Sequence, residues 1–257
     1  MAYVLENIEE ANRLRYQQGI NAYNIAEEFE SLRINDKSIV LDAGCGEGAL
    51  TRYFLDQNTK ARIEGVDFSE VRVMQAAKSI NNHRATFFQS SLESIQKEDS
   101  YYDYIACRYV YEHLQNPQAV SSELYRVSKK GATVCICDFD NIFTGFHTTN
   151  HKFNQTLSVL QNKLGIDFNV GRKIPAFLTQ SGFTVKDVKL STHLLTGKQL
   201  EMEKENYIKR FNQMSDVFKV ALGGTTESKR FFNTFIDMMD SAGSVFYMNK
   251  FVVTAIK

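Results

Sequence analysis

Between residues 36 and 140, short and almost continuously apolar runs alternate with stretches of helical period. The apolar runs are Ser38–Leu41, Ile63–Asp67, Thr86–Gln89, Tyr102–Cys107 and Ala132–Cys137. Helices are predicted between them over Ala49–Gln57, from an N-cap at Ser69 to Ser79, and over Gln118–Ser128, after which Lys129-Lys130-Gly131 reads as a turn. Strands without polar alternation are strands covered on both faces, as in βαβ units around a parallel sheet with right-handed connections. Ahead of this block, Tyr3–Leu32 is helical in pattern, with Ile25, Phe29 and Leu32 at helical spacing and a break at Gly19.

After Asp140 the rhythm changes. A helix is predicted near 151–164, a short one over Lys173–Ser181 closed by Gly182, and a sixth strand over Phe183–Leu190. About 45 helical residues follow, in which Phe232, Phe235, Ile236 and Met239 form an i, i+3, i+4, i+7 stripe that reads as packing. The β-prone run Val245–Ile256 ends the chain. The expected organisation is a helical lid over 1–35, a ligand-binding core over 36–140, a cap segment over 141–182, and two last strands over 183–257 with a helical insertion at about 196–241.

Composition narrows the function. Lys+Arg and Asp+Glu are both 30 in 257 residues, so no general affinity for nucleic acid or anionic membrane is expected. No apolar run approaches the ~20 residues needed to span a bilayer, and Glu6, Glu9 and Glu10 are at odds with a signal peptide. Cys45, Cys107, Cys135 and Cys137 fall in predicted strands or in a glycine-rich turn, which fits reduced thiols and a cytoplasmic protein.

The chemistry begins at VLDAGCGEG, residues 40–48. Gly44, Gly46 and Gly48 follow the first strand and open a helix, at the sheet edge where open α/β folds bind ligands. Gly44, Gly46 and Ala49 satisfy the G-x-G-x-x-A of dinucleotide sites, so a NAD(P)-dependent oxidoreductase is one reading. Asp42 points elsewhere, because a carboxylate before the glycines suits an ammonium group better than a pyrophosphate. Asp67 ends the second strand, where acidic residues hold ribose hydroxyls, and Phe68 offers a flat face to a base. A nucleoside end and an amino-acid end without phosphate describe S-adenosylmethionine (SAM).

VLDAGCGEG, GVDFS at 65–69 and YDYIACRYVYEHL at 102–114 resemble, in order and spacing, the class I SAM-dependent methyltransferases of the small-molecule subgroup. The resemblance covers about residues 36–140. It implies a Rossmann-like α/β fold, a seven-stranded mostly parallel sheet with an antiparallel last strand, here FVVTAIK, and helical cap insertions. It also implies SAM as cofactor and S-adenosylhomocysteine (SAH) as product. Asp42 and the backbone of Gly44, Cys45, Gly46 and Gly48 would approach the methionine end. Asp67 would hold the ribose, with Phe68 against the adenine. Ser91-Leu92 stands where the family has an acidic residue followed by a small or apolar one, so the adenine amino contact departs from the pattern. Cys107 and Arg108 would lie beside the methionine, and Tyr3 and Arg13 would close over the cofactor.

Methyl transfer from a sulfonium needs positioning and water exclusion more than a nucleophilic triad, with a base for a hydroxyl or ammonium acceptor. His113 in Glu112-His113-Leu114 and Asp138 are the candidate bases, each with a structural role as its alternative. Tyr109, His113, Asp140 and His147 are the candidate contacts to a small-molecule acceptor of unspecified identity. His147 and His151 would share a helix face, but no Glu or Cys joins them, so no metal is expected. Against the oxidoreductase stand Asp42, the Glu112-His113-Leu114 turn, and the want of a recognised catalytic Tyr-x-x-x-Lys pair, 125–129 reading YRVSK. A SAM-binding protein without turnover remains open, and so does the oligomeric state.

Overall fold

The computed structural model describes residues 8–57, 60–146, 148, 150–241 and 245–257, with side chains from residue 12 onward. Tyr3 and His147, both expected at the site, lie outside the described residues. In chain order the elements are α1 (Ile8–Gln17), a 3-10 turn (Asn21–Tyr23), α2 (Ile25–Glu28), β1 (Ile39–Ala43), α3 (Ala49–Asp56), β2 (Arg62–Asp67), α4 (Glu70–Ser79), β3 (Ala85–Gln89) and β4 (Tyr102–Arg108). A 3-10 turn (Tyr111–His113), α5 (Pro117–Val127), β5 (Ser128–Asp140), α6 (His151–Leu164), α7 (Ile174–Gln180) and β6 (Thr184–Leu195) follow. Then come α8 (Gly197–Gln213), α9 (Ser215–Leu222), α10 (Thr225–Asp240) and β7 (Phe246–Ile256).

The seven strands form one sheet in the order β3-β2-β1-β4-β5-β7-β6, six parallel and β7 antiparallel. Gly131 donates its amide hydrogen to Lys257 O, and Lys257 donates back to Ala132 O, which sets the reversed direction of β7 against β5. The continuous apolar runs are explained by burial on both faces. Leu41, Ala43, Ile105, Cys107, Val134 and Ile136 face α5 and α7 through Val120, Leu124, Ile174 and Leu178. The alternate positions Val40, Ile63, Ala106, Cys135 and Cys137 face Phe29, Leu50 and Phe54.

Local signals place the helices. The Ser69 side chain accepts the Arg72 amide at the start of α4, and Asn116 caps α5 ahead of Pro117. Two expectations shift. The turn predicted at Lys129-Lys130-Gly131 is a bulge inside a longer β5: Tyr102 pairs with Ser128 and Tyr104 with Thr133, with Gly131 left-handed between them. The helix predicted to Leu32 stops at Glu28, while Phe29 and Leu32 are still buried under the sheet.

The chain divides into two units. One comprises Ile25–Asp138, Val170–Leu190 and Lys250–Lys257; the other comprises Met1–Asn24, Phe139–Asn169 and Ser191–Asn249. Residues 25–35 and 170–182, expected in the lid and cap, thus belong with the nucleus of the sheet. The second unit has an aromatic core in which Phe153 stacks on Phe231 with centroids 5.0 Å apart and Tyr207 meets Phe235 edge-on at 4.8 Å. The buried line of α10 is Ser228, Phe231, Phe235 and Met239, so Phe235 and Met239 of the predicted stripe lie on it while Phe232 and Ile236 are half-buried. Among the described residues, no helix is long and apolar enough to cross a membrane.

Candidate functional site

The glycine loop between β1 and α3 is held from several sides. The Gly44 and Cys45 amides both donate to Val66 O, at 2.7 and 2.9 Å, turning the chain sharply as it leaves the sheet. Gly44 has φ +79°, and a Cβ there would lie 2.3 Å from Val110 Cγ2. Both the backbone conformation and the space disfavour any other residue.

Asp42 has 1% exposure, and its Oδ2 accepts the Thr51 amide at 2.9 Å and the Thr51 hydroxyl at 2.6 Å. Burial pushes its carboxyl up to about 6, against the pull of those two bonds. The side chain expected to face an ammonium group therefore bonds the first turn of α3.

Asp67 is oriented by backbone alone: Oδ2 accepts from Gly46 at 2.8 Å and Oδ1 from Ser69 at 2.9 Å. Each oxygen of an ionised carboxylate has about two lone-pair sites, so acceptor capacity remains for a diol. Phe68, the next residue, is 60% exposed, an unusual position for a phenyl ring. The Gln89 side chain donates to Phe68 O at 3.0 Å, joining this corner to β3. Nearby, the Ser91 hydroxyl accepts the Glu93 amide at 3.1 Å, and Leu92 is buried. Burial raises the Cys45 and Cys107 thiols well above their usual range, which makes both of them packing groups and not nucleophiles.

Residues 40–131 match the family model described as a methyltransferase domain. Over those residues the chain is similar to the class I SAM-dependent methyltransferases. A curated relative is the malonyl-(acyl-carrier protein) O-methyltransferase of Halalkalibacterium halodurans, 27% identical over 134 residues, 50% of this chain and 49% of that protein. The match thus spans about half the length of this relative. Among solved structures, the YcgJ protein of Bacillus subtilis superposes with a TM-score of 0.66 at 16% identity, covering 92% of this chain and 99% of that one. Haemonchus contortus phosphoethanolamine N-methyltransferase 2, bound to phosphomonomethylethanolamine and SAH, gives 0.58 at 17% identity, covering 96% and 52%. At such identities the likeness is one of fold.

The remaining expected residues of the methyltransferase domain are distributed as follows. His113 is one-third exposed on the 3-10 turn after β4, its Nε2 3.1 Å from Glu112 Oε1. Asp138 is fully buried and accepts the Glu112 amide at 3.2 Å, which ties that turn to the end of β5. Arg108 and Tyr109 both turn toward Glu28, so the Tyr109 hydroxyl serves as a donor inside the protein rather than as a wall of the cleft. Burial also raises that phenol well above its usual range, which rules it out as a base near neutrality. The YRVSK stretch does have Tyr-x-x-x-Lys spacing, but Lys129 Nζ is held 2.8 Å from both oxygens of Asp103 and Tyr125 packs edge-on against Phe183. Tyr125 lies in the last turn of α5 and Lys129 at the start of β5, not at the carboxyl end of the sheet, so they form no dinucleotide site.

In the second unit, Asp140 is buried with Oδ1 accepting the Asn141 amide. Arg13 is 3% exposed and donates to Gln17 at 2.7 Å and to Asn206 at 2.8 Å. It borders a 310 Å³ pocket with Asn12, Lys209, Asn212 and Gln213. Three residues of the core escaped the sequence reading: Thr51, Val110 and Glu28. A hydroxyl nine positions after Asp42 was a usable signal for the first; the other two depend on contacts remote in sequence.

Proposed function

We propose that this chain is a SAM-dependent methyltransferase that transfers a methyl group to oxygen or nitrogen of a small-molecule acceptor. The observation that carries the reading is the Asp67–Phe68 corner: a carboxylate fixed by Gly46 and Ser69 amides beside a ring left 60% exposed. That pair suits a ribose diol and a purine face. The loop offers backbone to the other end of the ligand, with the Arg72 guanidinium 3.5 Å from where a Cβ on Gly46 would lie, which suits the carboxylate of an amino acid. SAM supplies an activated methyl on a sulfonium with a neutral thioether as leaving group.

The protein's share is then position and dryness. Asp67, Phe68 and the Gly44–Gly48 loop hold and orient the cofactor. His113 stands at the β4 exit as the group that would take a proton from a hydroxyl or ammonium acceptor, with Glu112 beside its Nε2 and Asp138 securing the turn. Asp140 and His147 complete the proposed acceptor contacts, and Tyr3 and Arg13 the proposed lid. The small-molecule reading is supported by the balanced charge, and both oxygen and nitrogen acceptors occur among the names of the similar proteins. Four buried free thiols suit a reducing, cytoplasmic setting.

Calorimetry with SAM, SAH and NAD tests the cofactor. Binding of SAM and SAH without NAD supports the proposal, and the reverse pattern overturns it. Incubation with methyl-labelled SAM and a small-molecule extract tests turnover; cofactor binding without a labelled product would leave a binding protein in place of an enzyme.

A further inference from the structure

Glu28 ends a four-residue helix of no obvious importance, yet its side chain is fully buried and is the centre of a cluster. Oε2 accepts from Arg108 Nε, and Oε1 from the Tyr109 hydroxyl at 2.5 Å and from Lys250 Nζ at 3.1 Å. The Arg108 guanidinium lies over the Tyr109 ring, 4.2 Å from its centroid. Three separate parts of the chain thus meet at one carboxylate: α2, the end of β4 and the start of the last strand's core segment.

The cluster acts on the glycine loop through one residue. Tyr109 has φ +56°, a left-handed conformation that a bulky side chain holds only when its surroundings over-determine it. Its amide is fixed by Cys137 O at 2.9 Å and its hydroxyl by Glu28. This reversal decides where the next residue goes, and Val110 goes against Gly44, into the space that a Cβ would occupy. Buried ion pairs are weak devices for stability and better ones for geometry.

We propose that Glu28 is a positioning residue of the cofactor cleft: by holding Arg108 and Tyr109 it seats Val110 on Gly44 and fixes the space left for the amino-acid end of the ligand. The inference rests on the SAM reading. Its distinguishing consequence is selectivity between the two ends of the cofactor, because the Asp67–Phe68 corner has no part in the cluster.

The test compares SAH with 5′-methylthioadenosine, which keeps the nucleoside end and lacks the amino-acid end. Calorimetry on Glu28→Gln, which preserves shape and removes the charge, should show SAH weakened about tenfold or more with methylthioadenosine changed less than about twofold. Tyr109→Phe removes a single hydroxyl and should show the same selective loss to a smaller extent, so it carries the test if Glu28→Gln fails to fold. Adding Val110→Ala to Tyr109→Phe should cost less than the sum of the two single changes, since both act through one side chain. Equal weakening of both ligands, no weakening of either, or additivity in that pair overturns the positioning role. Wild-type protein that binds neither ligand overturns the cofactor reading itself, and the two failures are thereby told apart.

Discussion

Gly46 donates its amide hydrogen to Oδ2 of Asp67 at 2.8 Å, joining the glycine loop to the end of the neighbouring strand. The bond makes Asp67, the proposed ribose ligand, a strut of the loop as well. Asp67→Ala should therefore lower SAH affinity by about 10- to 100-fold, the scale of hydrogen bonds to a charged group. Titration calorimetry reads this directly, and unchanged affinity would remove Asp67 from the site.

Phe68 gives the complementary case. Its ring contributes little to packing at 60% exposure, so Phe68→Ala should leave the melting temperature where it is. The affinity for SAH and for methylthioadenosine should both fall, by about 1–3 kcal/mol if the ring stacks on the base. A variant that melts early and binds normally would contradict this on both counts.

Gly44→Ala should destabilise through two separable effects. The left-handed φ costs on the order of 1 kcal/mol, and the collision with Val110 adds about 1–3 kcal/mol of overpacking. Adding Val110→Ala should recover only the second part. Urea unfolding of the three proteins measures the split; complete recovery would mean that the backbone conformation carries no cost.

Glu203 should make stability depend on pH. It is buried in the second unit, where Tyr23 donates to it at 2.9 Å and Asn206 at 3.1 Å, and burial raises its carboxyl to about 7 from 4.5 despite those bonds and the nearby Arg210 and Arg13. Between pH 4.5 and 7 the native state holds more protons than the unfolded one, so this contribution is full below 4.5 and is lost as pH rises through 7. Glu203→Gln should remove the slope, gaining on the order of 1–3 kcal/mol over wild type at pH 8 relative to pH 4. Parallel unfolding curves at the two values would refute the assignment.

The legible parts were those governed by neighbours in sequence. Continuous apolar runs marked strands covered on both sides, and Ser69 starts a helix by bonding the amide three residues on. Asp67 and Phe68 were singled out from their place at a strand end, where the structure shows a carboxylate held by two amides beside an exposed ring. The misreadings share a cause. Gly131 looked like a turn because glycine favours one, whereas its partner is Lys257, at the far end of the chain. Asp42 looked like a partner for an ammonium group because Thr51, which bonds it, was read only as helix. Glu28 was silent because its three partners lie at 108, 109 and 250. Local pattern carries propensity and capping; it does not carry the pairing of buried charges.

The second unit is drawn from three stretches of chain, and β5, β6 and β7 run between its residues and those of the first. The family match ends at residue 131, before the two longer stretches begin. Such a unit cannot be inherited or exchanged as a cassette, because any single crossover would import only part of its aromatic core. Its divergence must proceed by substitution and loop growth in place, with each change screened against rings contributed by the other stretches. Grafting a foreign version onto this core would require three coordinated splices.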